Sequence, residues 1–361
     1  MIPSNHFSRQ WEDLRADTLA AVERVGRSGW YVLGEEVRAF EAAFAAHWGL
    51  PHAIGVASGM DAIEISLRTL GCGPGDRVLT TPLSAFATTL AIVKLGAIPV
   101  FVDTDERGLI DLGQCRQLLE VRHDIRYFVP VHLYGQALDL AELARLRYDF
   151  DLRLVEDCAQ SVGAVTGSAG QLAATSFYPT KNLGAMGDGG AILTAHSEFA
   201  EKARALRDYG QTAKYRHDLI GYNSRLDELQ AAILRTAALP RLARSSARRR
   251  AIAQMYLTQL RNPLVTTLRN IKGCAWHLFP TFVEPASRSN FLEHLKLCGI
   301  GTGIHYPVPI PEQAAMRGEP HEIARDHPVA RRLCASEVSL PIHPYLTDSE
   351  VNQVIDAVNR W

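Results

Sequence analysis

Two rhythms of apolar and polar positions run along this chain, one of helical period and one of short unbroken apolar runs, with turn residues between them. Val37, Phe40, Phe44 and Trp48 recur at helical spacing, which predicts an amphipathic helix over residues 35–48. Residues 53–57 then read as a short buried strand ending at Ser58-Gly59. After the turn Gly73-Pro74-Gly75-Asp76, strands are expected over 77–81, 99–103 and 126–134, the last running into Gly135. Residues 154–157 form a further strand, tipped by the acids Glu156 and Asp157. Helical character rich in Ala, Leu and Arg extends from Asn223 to about Tyr256. Strand character resumes at 276–284 and helical character at 290–297. Near the end, Thr347 and Glu350 make a capping box ahead of a stripe of Val351, Val354, Ile355 and Val358. Strands and helices in alternation predict an α/β fold with a mainly parallel sheet. We expect two domains, residues 1–250 and a smaller C-terminal unit, 251–361.

Composition narrows the choice of partners. The 361 residues are 47% apolar, enough for a sizeable core. With 38 basic and 39 acidic side chains the net charge is -1, so no global field draws the chain to nucleic acid or an anionic membrane. The start is polar, no apolar run reaches bilayer length, and a cytoplasmic protein is expected. The six cysteines lack paired short spacings, so neither a disulfide framework nor a metal site is signalled.

Candidate chemistry centres on residues 176–190, SFYPTKNLGAMGDGG, where one lysine stands between a short apolar strand and a run of glycines. Lys181 would supply the amine for a Schiff base with pyridoxal phosphate, and Asp157 the carboxylate that keeps the pyridine nitrogen protonated. In GVASGMDAIEIS a strand passes into a helix with Ser58 as its N-cap, so the N–H groups of Gly59 and Met60 would face an anion. The Ser176 hydroxyl would join them. Phe86, after a strand and at the start of a helix, would lay its ring on a flat cofactor. Gln160, one turn beyond Asp157, would bond the cofactor's phenolic oxygen.

The strings VEDCAQSVGA, SFYPTKNLGAMGDGGAILT, GYNSRLDELQAAIL and GIGTGIHYPVPI resemble the DegT/DnrJ/EryC1/StrS family of pyridoxal-phosphate-dependent nucleotide-sugar aminotransferases, from about Gly34 onward. The resemblance implies the type I, aspartate-aminotransferase-like fold, with a mainly parallel seven-stranded sheet and a smaller C-terminal α/β domain. It also implies that Lys181 holds the cofactor, Asp157 pairs with the ring nitrogen and Gln160 lies near the phenolic oxygen. Phe86 would stack, and Gly59, Met60 and Ser176 would hold the phosphate. Asn223 would reach the phosphate from the neighbouring subunit of a homodimer. Many relatives carry threonine where this chain has Met60, which can offer only its backbone N–H.

Within the family, YPTKNLG and HYPVPI look more like the subgroup that aminates dTDP-linked 3-keto-6-deoxyhexoses, with L-glutamate as donor. There Tyr178, His305 and Tyr306 lie near the sugar ring. Lys214, Arg216, His217 and Arg225 are candidates for the substrate's diphosphate and nucleotide. The rival readings are a 4-keto sugar aminotransferase, a pyridoxal-phosphate-dependent sugar dehydratase, and a regulatory relative that binds without turnover. Lys181, where a dehydratase would have histidine, argues against the second, and the full set of Lys181, Asp157 and Gln160 argues against the third. The basic run Arg241, Arg244, Arg248, Arg249 and Arg250 is spread around its helix and reads as a solvated face.

Overall fold

Short apolar segments between glycine-rich turns have one stable way to hide both faces, which is to lie in a sheet covered by helices on each side. The computed structural model, described for all residues except 165, 269 and 270, has that arrangement. Seven strands come first: β1 (His52–Val56), β2 (Arg77–Thr80), β3 (Ile98–Phe101), β4 (Ile125–Phe128), β5 (Arg153–Asp157), β6 (Leu172–Ser176) and β7 (Gly190–Thr194). Among them lie helices α1 (Phe7–Ser28), α2 (Glu35–Trp48), α3 (Gly59–Thr69), α4 (Phe86–Lys94), α5 (Leu112–Leu119) and α6 (Leu140–Asp149). Next come α7 (Ser197–Arg207), the hairpin β8 (Gln211–Ala213) and β9 (Arg216–His217), α8 (Glu228–Ile233) and α9 (Leu242–Gln259). The C-terminal part adds β10 (Thr266–Thr267), β11 (Phe279–Phe282), α10 (Arg288–Leu297), β12 (Glu322–Ile323), α11 (Pro328–Ser336), β13 (Glu337–Leu340) and α12 (Asp348–Arg360).

The large sheet runs in the order β1-β7-β6-β5-β4-β2-β3-β12. Its strands are parallel except β7, which lies antiparallel to both β1 and β6. Seven strands match the expected number. The eighth, β12, is a two-residue addition from the C-terminal third, parallel to β3. One face is covered by α3, α4 and α7 over Ile54, Val78, Val155 and Ile192. On the other, α2 packs Phe40 and Phe44 edge-on against Phe177 at 5.3 and 5.2 Å. A second core joins α9, α10 and α12 to the three-stranded sheet β10-β11-β13. Residue 250 falls inside α9, a continuous helix that leads from one core to the other.

The elements depart from the sequence pattern in three places. The strand expected over 126–134 stops at Phe128, because Pro130 has no N–H to give a ladder and the chain turns at Leu133–Gly135. The helix expected from Asn223 begins only at Glu228, whose carboxylate accepts the N–H groups of Gly34, Glu36 and Val37 and so caps α2. Helix α1 was not expected at all. The last helix keeps its capping box, and Val351, Val354, Ile355 and Val358 are buried.

All six cysteines are free thiols, five of them buried. His132, Glu156 and Cys158 approach within 4.8 Å of one another, yet the lone pairs there are already used. Glu156 accepts the N–H groups of Gly167, Ala169 and Gly170 and bonds Nε2 of His132 at 2.9 Å, while Nδ1 of His132 accepts from Leu138. The cluster ties the loop before β6 to the strand that carries Asp157.

Candidate active site

Parallel strands present their carboxyl ends on one edge of the sheet, and two helices begin there. Gly59 opens α3 beside Ser176, the last residue of β6. A β-carbon at position 59 would fall 2.5 Å from Cβ of Ser176, so only glycine lets the two elements meet. Gly190, the first residue of β7, is held as closely, since its β-carbon would lie 2.4 Å from the Ser58 carbonyl oxygen. The Ser58 hydroxyl accepts from the N–H of Asp61 at 3.1 Å, which leaves the N–H groups of Gly59 and Met60 without partners among the described residues. The Met60 side chain packs toward the core beneath α3. This is a cradle with the donors an anion requires.

Asp157 ends β5 and is 4% exposed. Its Oδ2 accepts from the Thr88 hydroxyl at 2.8 Å and its Oδ1 from the Ala159 N–H at 3.0 Å. No arginine or lysine forms an ion pair with it among the described residues, so the carboxylate is left free to pair with a bound group. Thr88 lies in α4 two residues after Phe86. The Phe86 ring packs against Phe101, Ile310 and Met316 and does not line the cavity of Lys181.

Gln160 is not the solvated loop amide its surroundings in sequence would allow. Its Oε1 accepts from the Tyr134 N–H at 2.7 Å and its Nε2 donates to the Tyr306 hydroxyl at 3.1 Å. Tyr134 in turn donates its hydroxyl to the His305 carbonyl at 2.6 Å. These four residues join the end of β5 to the segment 301–306.

Lys181 sits in the turn after β6, its N–H bonded to the Tyr178 carbonyl at 2.8 Å. The side-chain amine makes no hydrogen bond or ion pair among the described residues. Enclosure by protein pushes it down to about 8, with the Asp157 carboxylate partly opposing. It lines a cavity of about 350 Å³ together with Tyr178, His277, His305, Tyr306 and Ser339. Burial, followed by the charge of Lys181, lowers His305 to about 4, and burial takes His277 well below the usual histidine range. Both imidazoles are therefore neutral near pH 7. An unpartnered amine, a carboxylate without a counter-ion and an anion cradle suit pyridoxal phosphate as amine, ring-nitrogen partner and phosphate seat.

The remaining candidates lie elsewhere in this chain. Lys214, Arg216 and His217 are exposed on the hairpin β8–β9. Lys214 stands over the Tyr215 ring, Arg216 pairs with Asp218 at 3.1 Å and Nδ1 of His217 bonds the Tyr209 carbonyl at 3.0 Å. Arg225 bonds Asp208 at 2.8 Å and Oδ1 of the exposed Asn223 at 2.5 Å. None of these five lines the Lys181 cavity. Thr88, His277, Ser339 and Glu337 join the site without having been singled out from sequence. Only Thr88, close behind Phe86, had a signal there.

Known proteins share this architecture over its whole length. The description "DegT/DnrJ/EryC1/StrS aminotransferase family" matches residues 12–359. A dTDP-3-amino-3,4,6-trideoxy-alpha-D-glucose transaminase of Streptomyces venezuelae is 42% identical over 100% of this chain and 96% of that protein. A dTDP-3-amino-3,6-dideoxy-alpha-D-galactopyranose transaminase of Aneurinibacillus thermoaerophilus is 41% identical over 94% of each. Among solved structures, S. venezuelae DesV in complex with a ketimine intermediate superposes with a TM-score of 0.94 at 41% identity, covering 100% of this chain and 98% of that one. NtdA of Bacillus subtilis, with bound cofactor PMP, reaches 0.90 at 26% identity, covering 96% and 82%.

Proposed function

This chain belongs to the DegT/DnrJ/EryC1/StrS aminotransferase family, and from that premise we propose that it transfers the amino group of L-glutamate to the keto carbon of a dTDP-linked 3-keto-6-deoxyhexose. It is a pyridoxal-phosphate-dependent aminotransferase. The observation that carries the reading is the enclosed, unpartnered amine of Lys181 beside the uncompensated carboxylate of Asp157. The 3-position is supported by the names of the two relatives above, both 3-amino sugar transaminases.

When bound, the cofactor supplies an electron sink for the carbanion that forms at the donor's α-carbon. Lys181 would tether it and, once displaced by the incoming amine, carry a proton on Nζ from that carbon. A lysine held near 8 rather than its usual range accepts and releases a proton readily close to neutrality. Asp157, fixed by Thr88 and Ala159, would hold the ring-nitrogen proton. Gly59, Met60 and Ser176 would seat the phosphate, Phe86 would cover the ring face and Gln160 would bond the phenolic oxygen. Tyr178, His305 and Tyr306 would face the sugar from the cavity wall.

The active unit in this reading is a homodimer. Asn223, Lys214, Arg216, His217 and Arg225 do not line the Lys181 cavity of their own chain, as expected of residues that serve a partner's site. Tyr215 and Ile220 beside them are 83% and 84% exposed, two large side chains that a second copy would cover. We keep residues 1–250 as the cofactor-binding part and 251–361 as the smaller part, with α9 as the connection.

Addition of L-glutamate to holoenzyme tests the first half of the reaction. Loss of the visible absorption of the lysine-bound cofactor is expected, and an unchanged spectrum would favour a regulatory binder. Incubation of the product with 3-keto and 4-keto sugar nucleotides, followed by NMR of the aminated sugar, tests the second half. Amination of 4-keto substrates alone would overturn the 3-position.

A further inference from the structure

Arg249, in the middle of α9, is 4% exposed and has no carboxylate partner among the described residues. Sequence reasoning placed it on a solvated helix face, and the structure corrects that. Its Nη1 donates to the carbonyl oxygens of Ile342 at 2.5 Å and of Trp276 and His277 at 3.3 Å each. The other two nitrogens, Nε and Nη2, share one edge of the guanidinium and make no hydrogen bond among the described residues. Nε is also sealed from solvent. A buried cation with an unused fork is an expensive arrangement unless something anionic completes it.

Arg249 lines a small space beside Lys181. Asn5, Lys181, Ser245, Arg249, His343 and Tyr345 line a cavity of about 40 Å³ that meets the larger one at Lys181. Burial lowers Arg249 to about 10, and the only group that raises it is Tyr345. His343 is lowered to about 4, by burial first and by Arg249 next.

We propose that Arg249 binds a carboxylate of the amino donor through its Nε and Nη2. The proposal deepens the function given above and rests on it. An α-amino acid whose nitrogen replaces the Lys181 amine carries its acid group one carbon away, and two cations share a cavity wall with that amine: Arg241, which is paired with Asp13 and Asp17, and Arg249, which has no carboxylate partner among the described residues. A planar carboxylate matches the paired N–H groups of a guanidinium edge. The cavity is too small for a nucleotide diphosphate, and the anion cradle at Gly59 lies at a different helix end.

Glutarate, a dicarboxylate with no amine to transfer, is a suitable probe. Calorimetric titration of glutarate and, in parallel, dTDP into holoenzyme compares the native chain with Arg249→Gln. At least tenfold weaker glutarate binding is expected, with dTDP affinity within twofold of native. A folded variant that binds glutarate as the native enzyme does overturns the proposal, and so does a loss confined to dTDP. Because Nη1 also ties three carbonyls, a crystal structure of native holoenzyme with glutarate gives the answer if the variant does not fold. A carboxylate within hydrogen-bond distance of Nε and Nη2 supports the assignment, and glutarate bound elsewhere or absent overturns it. Native holoenzyme that responds to L-glutamate while the arginine fails these tests leaves the aminotransferase reading standing. Native holoenzyme that gives no response to L-glutamate removes both.

Discussion

Nδ1 of His305 lies 2.9 Å from the hydroxyl of Ser339. When Glu337 is ionised, that hydroxyl donates to its Oε1 at 2.5 Å and so accepts from the imidazole, which puts the proton of His305 on Nδ1. Oε2 of Glu337 accepts the backbone N–H of His305 at 2.6 Å. The residue is held at two points, its ring through Nδ1 and its backbone through the N–H. Ser339→Ala removes the tautomer's anchor and should lower turnover of the sugar half-reaction roughly fivefold, the worth of about 1 kcal/mol for one neutral hydrogen bond. The glutamate half-reaction should change less. Single-turnover measurements of each half separate the two, and equal losses in both would contradict a role confined to the sugar.

Lys181→Ala should abolish turnover by at least about a thousandfold, since both tether and proton carrier disappear. The phosphate cradle and Asp157 remain, so cofactor should still bind non-covalently. Equilibrium dialysis with pyridoxal phosphate and a steady-state assay check the two halves of this statement. Near-native turnover would remove Lys181 from the mechanism.

Gly59→Ala forces a methyl group to within 2.5 Å of Cβ of Ser176. Overpacking of this kind costs about 1–3 kcal/mol. The methyl group also crowds the N–H groups that would seat the phosphate. Weaker cofactor binding together with a lower melting temperature is expected. A destabilised variant with native cofactor affinity would show that the phosphate sits elsewhere.

Acid should destabilise the fold between about pH 6.5 and 4. His305 and His343 fall to about 4 from 6.5, and His277 falls well below 6.5, each because burial penalises the charged ring. In that window the unfolded chain binds more protons than the folded one, so stability drops as pH falls. Glu337 works in the opposite sense. Burial raises it from 4.5 to about 7, so its contribution is present in acid and is lost as pH rises through 7. Glu337→Gln should therefore steepen the fall of melting temperature from pH 6.5 to 4. A shallower fall in the variant would mean that Glu337 stays ionised in the native state.

Much of this fold is legible where a segment's own pattern decides its structure. The stripe of α12 and its capping box need no distant partner, and neither does the N-cap of α3. Helix α1 was hidden because its buried positions, Leu14, Thr18, Ala21 and Val25, form a narrow stripe containing a threonine and an alanine, in a segment that otherwise reads as polar. The site divides along the same line. Asp157, Ser176 and Lys181 fall within 25 residues of each other, and their chemistry announces itself. Arg249 meets Ile342 across 93 residues and His305 meets Ser339 across 34, so sequence spacing carries no sign of either contact.

Strand β7 runs back between β1 and β6, and the pairing of Ser176 with Gly190 closes the base of the loop that bears Lys181. Gly190 also abuts Ser58, so lysine, serine and cradle are stitched to the same three strands. The wall formed by residues 303–306 and 339–342 belongs to a separate stretch of chain, fastened to the rest by contacts such as that of Tyr134 with His305. Substitutions in that wall would therefore reshape the cavity while the strands that hold Lys181, Ser176 and the cradle stay as they are.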